Sequence, residues 1–260
     1  METMKHVNAI DGIAVPSESS ARVLRQQGFE DSNSPLKIEI IPHGISQFLR
    51  SQTDDPAITE WILSKKGTAR LIYCPSRPDV HKDVETFLEA AGILKRLYEG
   101  GAVVFVMGCV PEGDAYEKLK ARAVALGLKE GGDLHLRPFL YKEMASVYRR
   151  ADVCIVPSRH ESFGQTVLEA FLFDVPVVAA NATALAEIIA NDHSGLLFTP
   201  GDPNDLARQT TRILEDETLR QRLTENGGRM LRQGDKYDAT TMIRAYERFY
   251  ERVLSNSPEK

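Results

Sequence analysis

Five short apolar runs constrain the fold more than anything else in the chain. RLIYCP, AVVFVMG, DLHLRP, DVCIVPS and VPVVAA recur from residue 70 onward, separated by stretches with helical apolar spacing. Strands that are apolar nearly throughout are buried on both faces, so helices must cover the sheet on both sides. The pattern predicts an α/β fold, a doubly wound and mostly parallel sheet, with GLLF as an added edge strand. Val84, Phe87, Leu88, Ala91 and Leu94 mark one helix face, and EKLKARAVALG and KEMASVYRR supply the next two crossovers. Asp202 before Pro203 reads as the cap and first turn of a helix through Leu214, and Leu219 to Arg232 as another, both as surface cover.

A chain of 260 residues, 42% hydrophobic, can bury one large core or two modest ones. Its apolar runs fall far short of the roughly 20 residues that cross a bilayer, and no basic start precedes a hydrophobic segment. The expected location is cytoplasmic, including the cytoplasmic face of a membrane. A net charge of -5, from 32 basic and 37 acidic residues, offers nucleic acid no overall attraction. Cys74, Cys109 and Cys154 lie in or beside strand-like runs without close pairing, which suits buried thiols better than disulfides or metal ligands. No metal site is expected.

Residues 1–42 fit the main pattern poorly. GIAVPS, SESSARVLRQQG and KIEIIP read as the last βαβ turn of a preceding unit, because one strand and one helix have too little core of their own. The expected division is a remnant of an N-terminal domain plus linker at 1–42, a main domain at 43–235, and a terminal helix at 236–260 that packs back on the first segment. Met242, Tyr246, Phe249 and Val253 form that helix's apolar stripe.

HESFGQTVLEA, residues 160–170, follows the run DVCIVPS directly. A strand that passes through a glycine turn into a helix presents unpaired amides at the helix start, where an anionic group can dock. Glu161 and Glu169 would flank that start, able to accept hydrogen bonds from hydroxyls. Phosphate and hydroxyls together imply a nucleotide sugar.

These residues resemble the donor-binding, C-terminal half of retaining nucleotide-sugar glycosyltransferases of the GT-B fold, the large family four group, over roughly Asp11 to Leu254. The resemblance rests on the Glu-x7-Glu motif ESFGQTVLE, IPHGI at 41–45, Arg77 and Lys82 in SRPDVHK, and the ordered run VPVVAA, AEII, SGLLFTPGD. It implies a Rossmann-like donor domain in which Arg77 and Lys82 hold the diphosphate and Glu161 contacts the transferred sugar, the three forming the catalytic set. It further implies donor contacts from Gly44, Phe163, Gly164, Gln165, Thr166 and Glu169, the last on the ribose, and from Arg137 and Pro138 near the base. The Phe163 ring suits packing as well as substrate contact, and His43 is a further cleft residue.

By the same resemblance, transfer proceeds with retention by a front-side route needing no protein nucleophile, cofactor or metal. The acceptor is a glycan, lipid or small molecule held by the missing N-terminal domain. Asp83, Asp174 and the Thr183-Ala184 pair stand where relatives carry glycine. The two aspartates suit a tolerant surface, and Thr183 and Ala184 would reshape the sugar pocket. Two rival readings are a catalytically silent nucleotide-sugar-binding module and a GT-B phosphorylase or epimerase relative.

Overall fold

The computed structural model describes residues 11–29, 37–98, 100, 102–108 and 113–256. At its start β1 (Ile13–Val15), α1 (Glu18–Gln26) and β2 (Ile38–Ile40) form a small unit in which the two strands pair in parallel, apart from the main sheet. Ser17 caps α1 by accepting from the Ser20 amide at 3.1 Å, and Glu18 sits in the first turn at the positive end of the helix dipole. Among the described residues the unit's buried core is Val15, Ala21 and Ile38, with Ile13, Leu24, Phe29 and Ile40 packed against it, a small core that leans on its neighbours.

Two helices that the apolar pattern did not reveal come next, α2 (Phe48–Ser51) and α3 (Pro56–Lys66). The main alternation follows: β3 (Arg70–Cys74), α4 (Val84–Leu97), β4 (Val103–Gly108), α5 (Gly113–Ala125), β5 (Leu134–Arg137), α6 (Tyr141–Tyr148), β6 (Val153–Val156), α7 (Gln165–Leu172), β7 (Val177–Ala180), α8 (Leu185–Ile188), β8 (Leu196–Phe198), α9 (Pro203–Glu215), α10 (Glu217–Gln233) and finally α11 (Ala239–Asn256). Six strands make one sheet in the order β5-β4-β3-β6-β7-β8, every neighbouring pair parallel. All residues of β6 and β7 are buried, as the unbroken apolar runs require. Asp202 caps α9 by accepting from the amides of Asn204 and Asp205, but α9 is more than surface cover, since Leu206, Thr210 and Ile213 are sunk completely in the core.

Cys74 and Cys154 are buried on adjacent strands, and Cys109 lies outside the described residues. Among the described residues no helix is long and apolar enough to cross a membrane. The apolar stripe of α11 turns toward the first segment: a Cβ on Gly12 would stand 3.0 Å from the Phe249 ring and 3.2 Å from Val253, and Arg252 pairs with Glu39.

The chain builds outward from β3 through β4 to β5, then returns to the other side of β3 and builds through β6 and β7 to β8. Loops leaving the carboxyl ends of β3 and β6 therefore diverge, opening a crevice at the point where the strand order reverses.

Candidate functional site

The loops after β3 and β6 face each other across that crevice. The first folds into a 3-10 turn over Val80–Lys82, with the Asp79 side chain accepting from the His81 amide at 2.8 Å and its carbonyl from the Lys82 amide at 2.9 Å. The second is laced to the first, the Arg159 amide donating to the His81 carbonyl at 2.9 Å while the His81 and His160 rings meet edge to face at 5.5 Å. This lacing brings Lys82 Nζ to 2.5 Å from Glu161 Oε1. Two charges from opposite walls thus neutralise each other across the crevice. The Glu161 backbone is fixed separately, its amide donating to Thr183 Oγ1 at 3.0 Å.

Thr183, expected with Ala184 to reshape the sugar pocket, has its hydroxyl turned to the Glu161 amide. Its φ is 43°, and Asp83 and Asp174 stand at 47° and 57°. Three of the four replacements for glycine therefore sit in the left-handed region, where a side chain costs about 1–2 kcal/mol, while Ala184, at φ -67°, does not. Each of the three has polar partners that offset this. Asp83 accepts from Thr86 Oγ1 at 2.8 Å and Arg159 Nε at 2.7 Å, and Asp174 accepts from Arg50 and Arg232. Asp83 is not on a tolerant surface: it is buried, 8% exposed, and its charge is answered by Arg159.

Gly164, with φ 112°, turns the chain into α7, and no side chain caps that helix. The Gln165 and Thr166 amides at its start are available to an anion, while the Val167 amide donates to the Gly164 carbonyl at 3.0 Å. The glycine is needed twice over, because a Cβ there would also meet Leu185 and Ile188 at 3.1 Å. Phe163 is a packing residue, buried with its ring edge-on to His43 at 5.0 Å and to Tyr237 at 6.0 Å.

Glu169, on the second turn of α7, is half-buried, and the Tyr148 hydroxyl donates to its Oε2 at 2.8 Å. Burial pushes the Glu169 carboxyl above its ordinary range, against the pull of the Tyr148 bond. Burial also pushes the Tyr148 and Tyr73 phenols well upward, and Tyr148 stays the donor to Glu169. Arg77 is exposed and lines a cavity of about 210 Å³ with Tyr73, Pro75, Gly108, Pro138, Phe139 and Met144. The Arg137 guanidinium lies 4.7 Å over the Trp61 ring and 5.1 Å over Phe139, which lines that cavity. Gly44 faces α11: a Cβ on it would lie 2.4 Å from the Ala239 α-carbon, and its amide donates to Met242 Sδ at 3.2 Å. Its role is close backbone approach rather than a special turn.

The structure therefore gathers the expected residues into adjoining places: Lys82 with Glu161, Arg77 with Pro138 at the small cavity, and the Gly164 turn with Glu169 one helical turn beyond. Gly44 is turned to α11 instead, and Arg137 lies over Phe139 at the edge of the small cavity. Sequence reasoning missed Tyr148 and Tyr73, which look like ordinary core residues. The available signal was a phenol in a buried run, since such a hydroxyl usually finds a partner.

Residues 57–230 match the model of the family glycosyl transferases group 1. The chain belongs to that family. It is 27% identical over 184 residues to an uncharacterized glycosyltransferase of Methanocaldococcus jannaschii, covering 70% of this chain and 52% of that protein. It is 26% identical over 247 residues to the N,N'-diacetylbacillosaminyl-diphospho-undecaprenol alpha-1,3-N-acetylgalactosaminyltransferase of Campylobacter jejuni, covering 92% of this chain and 60% of the relative. The chain thus spans between half and three fifths of these two relatives. Among solved structures, HepE of Anabaena in complex with UDP and glucose matches with a TM-score of 0.77 at 20% identity, over 93% of this chain and 63% of that one. A glycosyltransferase of Rickettsia africae gives 0.78 at 20% identity, over 95% and 64%. These likenesses establish the fold, the Rossmann-like half of a GT-B architecture.

Proposed function

We propose that this chain is the donor-binding half of a retaining glycosyltransferase that takes a nucleotide diphosphate sugar and transfers the sugar to an acceptor hydroxyl on a glycan, lipid or small molecule. The observation that carries the reading is the Lys82–Glu161 pair spanning the sheet's switch point beside the uncapped start of α7. A departing diphosphate gathers negative charge, and fixed cations and helix amides stabilise it without reorganising at the moment of reaction. In this reading Arg77, Lys82 and the first amides of α7 take the diphosphate in place of a metal, Glu161 accepts from the sugar's hydroxyls, and Glu169 accepts from the ribose. The cavity of about 210 Å³ beside Arg77 takes the planar base; it is too small for the whole ligand. The complex of HepE with UDP and glucose supports such a ligand on this fold.

Calorimetry with UDP, GDP and ADP tests the reading. One of the three is expected to bind, and Lys82→Ala or Arg77→Ala to weaken that diphosphate about tenfold or more while changing the matching nucleoside less than about twofold, since a charged hydrogen bond contributes about 1.5–3 kcal/mol. No binding by any of them, or equal loss for diphosphate and nucleoside, would overturn it.

A further inference from the structure

We infer that Tyr148 is a positioning residue for sugar-ring recognition: from beneath the site it holds Glu169 so that one carboxylate oxygen is left to meet a ribose hydroxyl. The inference rests on the proposed donor site and deepens it. Tyr148 ends α6 and is completely buried, with its hydroxyl 2.8 Å from Glu169 Oε2 on the neighbouring α7. Among the described residues this is the hydrogen bond made by the Glu169 carboxylate, and it engages Oε2 and not Oε1.

The phenol cannot drift. One face of its ring stacks on Phe173 at 5.5 Å and 5°, with the Arg149 guanidinium over Phe173 in turn, and it meets Tyr73 edge-on at 5.3 Å and 80°. Tyr73 continues the chain of rings to Phe139 at 6.1 Å, and both line the cavity assigned to the base. One rigid aromatic row therefore runs from the base cavity to the carboxylate, setting the distance between the two places where a nucleoside would be gripped. A carboxylate free to rotate would spend part of its binding energy on being ordered. Here the ordering is done by the core.

The experiment is calorimetric binding of UDP and 2′-deoxy-UDP, or the guanosine or adenosine pair if the panel selects another base, to the full chain and three variants. Wild type is expected to prefer the ribonucleotide, and Glu169→Ala to abolish the preference. Tyr148→Phe, which keeps the ring stack, is expected to reduce the preference about three- to tenfold. Tyr148→Phe added to Glu169→Ala is expected to change it no further, which separates action through Glu169 from a general loss of packing. If wild type binds no diphosphate, the proposed function falls and this inference with it. If Glu169→Ala removes the preference while Tyr148→Phe retains it in full, the site stands and the role of Tyr148 is overturned.

Discussion

Lys82 and Glu161 each occupy what the other's ligand would need. With side chains 30% and 14% exposed, the pair is shielded enough for its attraction to matter, and a diphosphate has to draw Lys82 away from a carboxylate that also repels it. A nucleotide sugar compensates both partners at once, hydroxyls for Glu161 and phosphates for Lys82, whereas a nucleoside diphosphate compensates one. Glu161→Gln is therefore expected to tighten nucleoside diphosphate binding about three- to tenfold and to narrow or reverse the advantage of the nucleotide sugar. Weaker diphosphate binding by that variant, measured in the same calorimeter cell, would remove the competition. Glu169 carries a second residue-scale consequence. Its carboxyl is raised in the folded chain relative to the ordinary 4.5, so below neutrality the native state takes up its proton before the unfolded state does. Its contribution to stability consequently improves as pH falls through the raised value and is constant below about 4.5. Glu169→Gln is expected to raise Tm at pH 7, with the gain vanishing near pH 4. A gain that persists unchanged at low pH would show that ionisation is not its source. The depressed carboxyls, such as Asp152 beside Lys66 and Glu217 at about 2 beside Arg220, act in the opposite sense, which is why the comparison is between variant and wild type.

At the scale of elements, legibility follows where the stabilising contacts lie. The six main strands could be read because burial on both faces leaves an unbroken apolar run, a signal contained within four to seven residues. The cap of α9 at Asp202 could be read for the same local reason. The same signal introduces α3, where Asp55 accepts from the amides of Ala57 and Ile58 at 3.0 and 3.1 Å ahead of Pro56, but that helix has two buried positions, Ile58 and Ile62, and little apolar stripe to draw attention. The site was legible in the residues that touch the crevice through a motif, Lys82, Glu161 and the Gly164 turn. It was not legible in what holds them. Tyr148 meets Glu169 across two helices and 21 positions, Thr183 meets the Glu161 amide across 22, and Gly44 is pressed against Ala239 by the return of α11 from the far end of the chain. No spacing rule carries contacts of that kind. The glycine replacements show the opposite: Asp83, Asp174 and Thr183 were noticed as departures, and only the backbone reveals that each is a strained position held by its own side chain.

At the scale of the whole molecule, the small first unit is seated directly on the candidate site. Glu187, at the end of the NATALAE loop, accepts from the Glu18 amide at 3.0 Å and the Ser19 amide at 2.7 Å, and from the Ser19 hydroxyl. A carboxylate from one unit thus caps a helix of the other, and the Ser17 hydroxyl adds a bond of 2.6 Å to the carbonyl of Ser162, the residue after Glu161. With three buried core side chains among its described residues, the β1-α1-β2 unit leans on this seat and on α11, whose Phe249 and Val253 close over Gly12. Two independent attachments mean that cutting one should loosen the unit without unfolding the sheet. Glu187→Ala is expected to speed hydrogen exchange of the α1 amides about tenfold, the effect of losing about 1.4 kcal/mol of local stability, while amides of β3, β6 and β7 exchange as in wild type. Unchanged exchange in α1 would mean that α11 and the Ser17–Ser162 bond hold the unit without Glu187. A parallel rise throughout the sheet would mean that the two parts open as one cooperative body, in which case movement of the first unit and access to Glu161 are a single event.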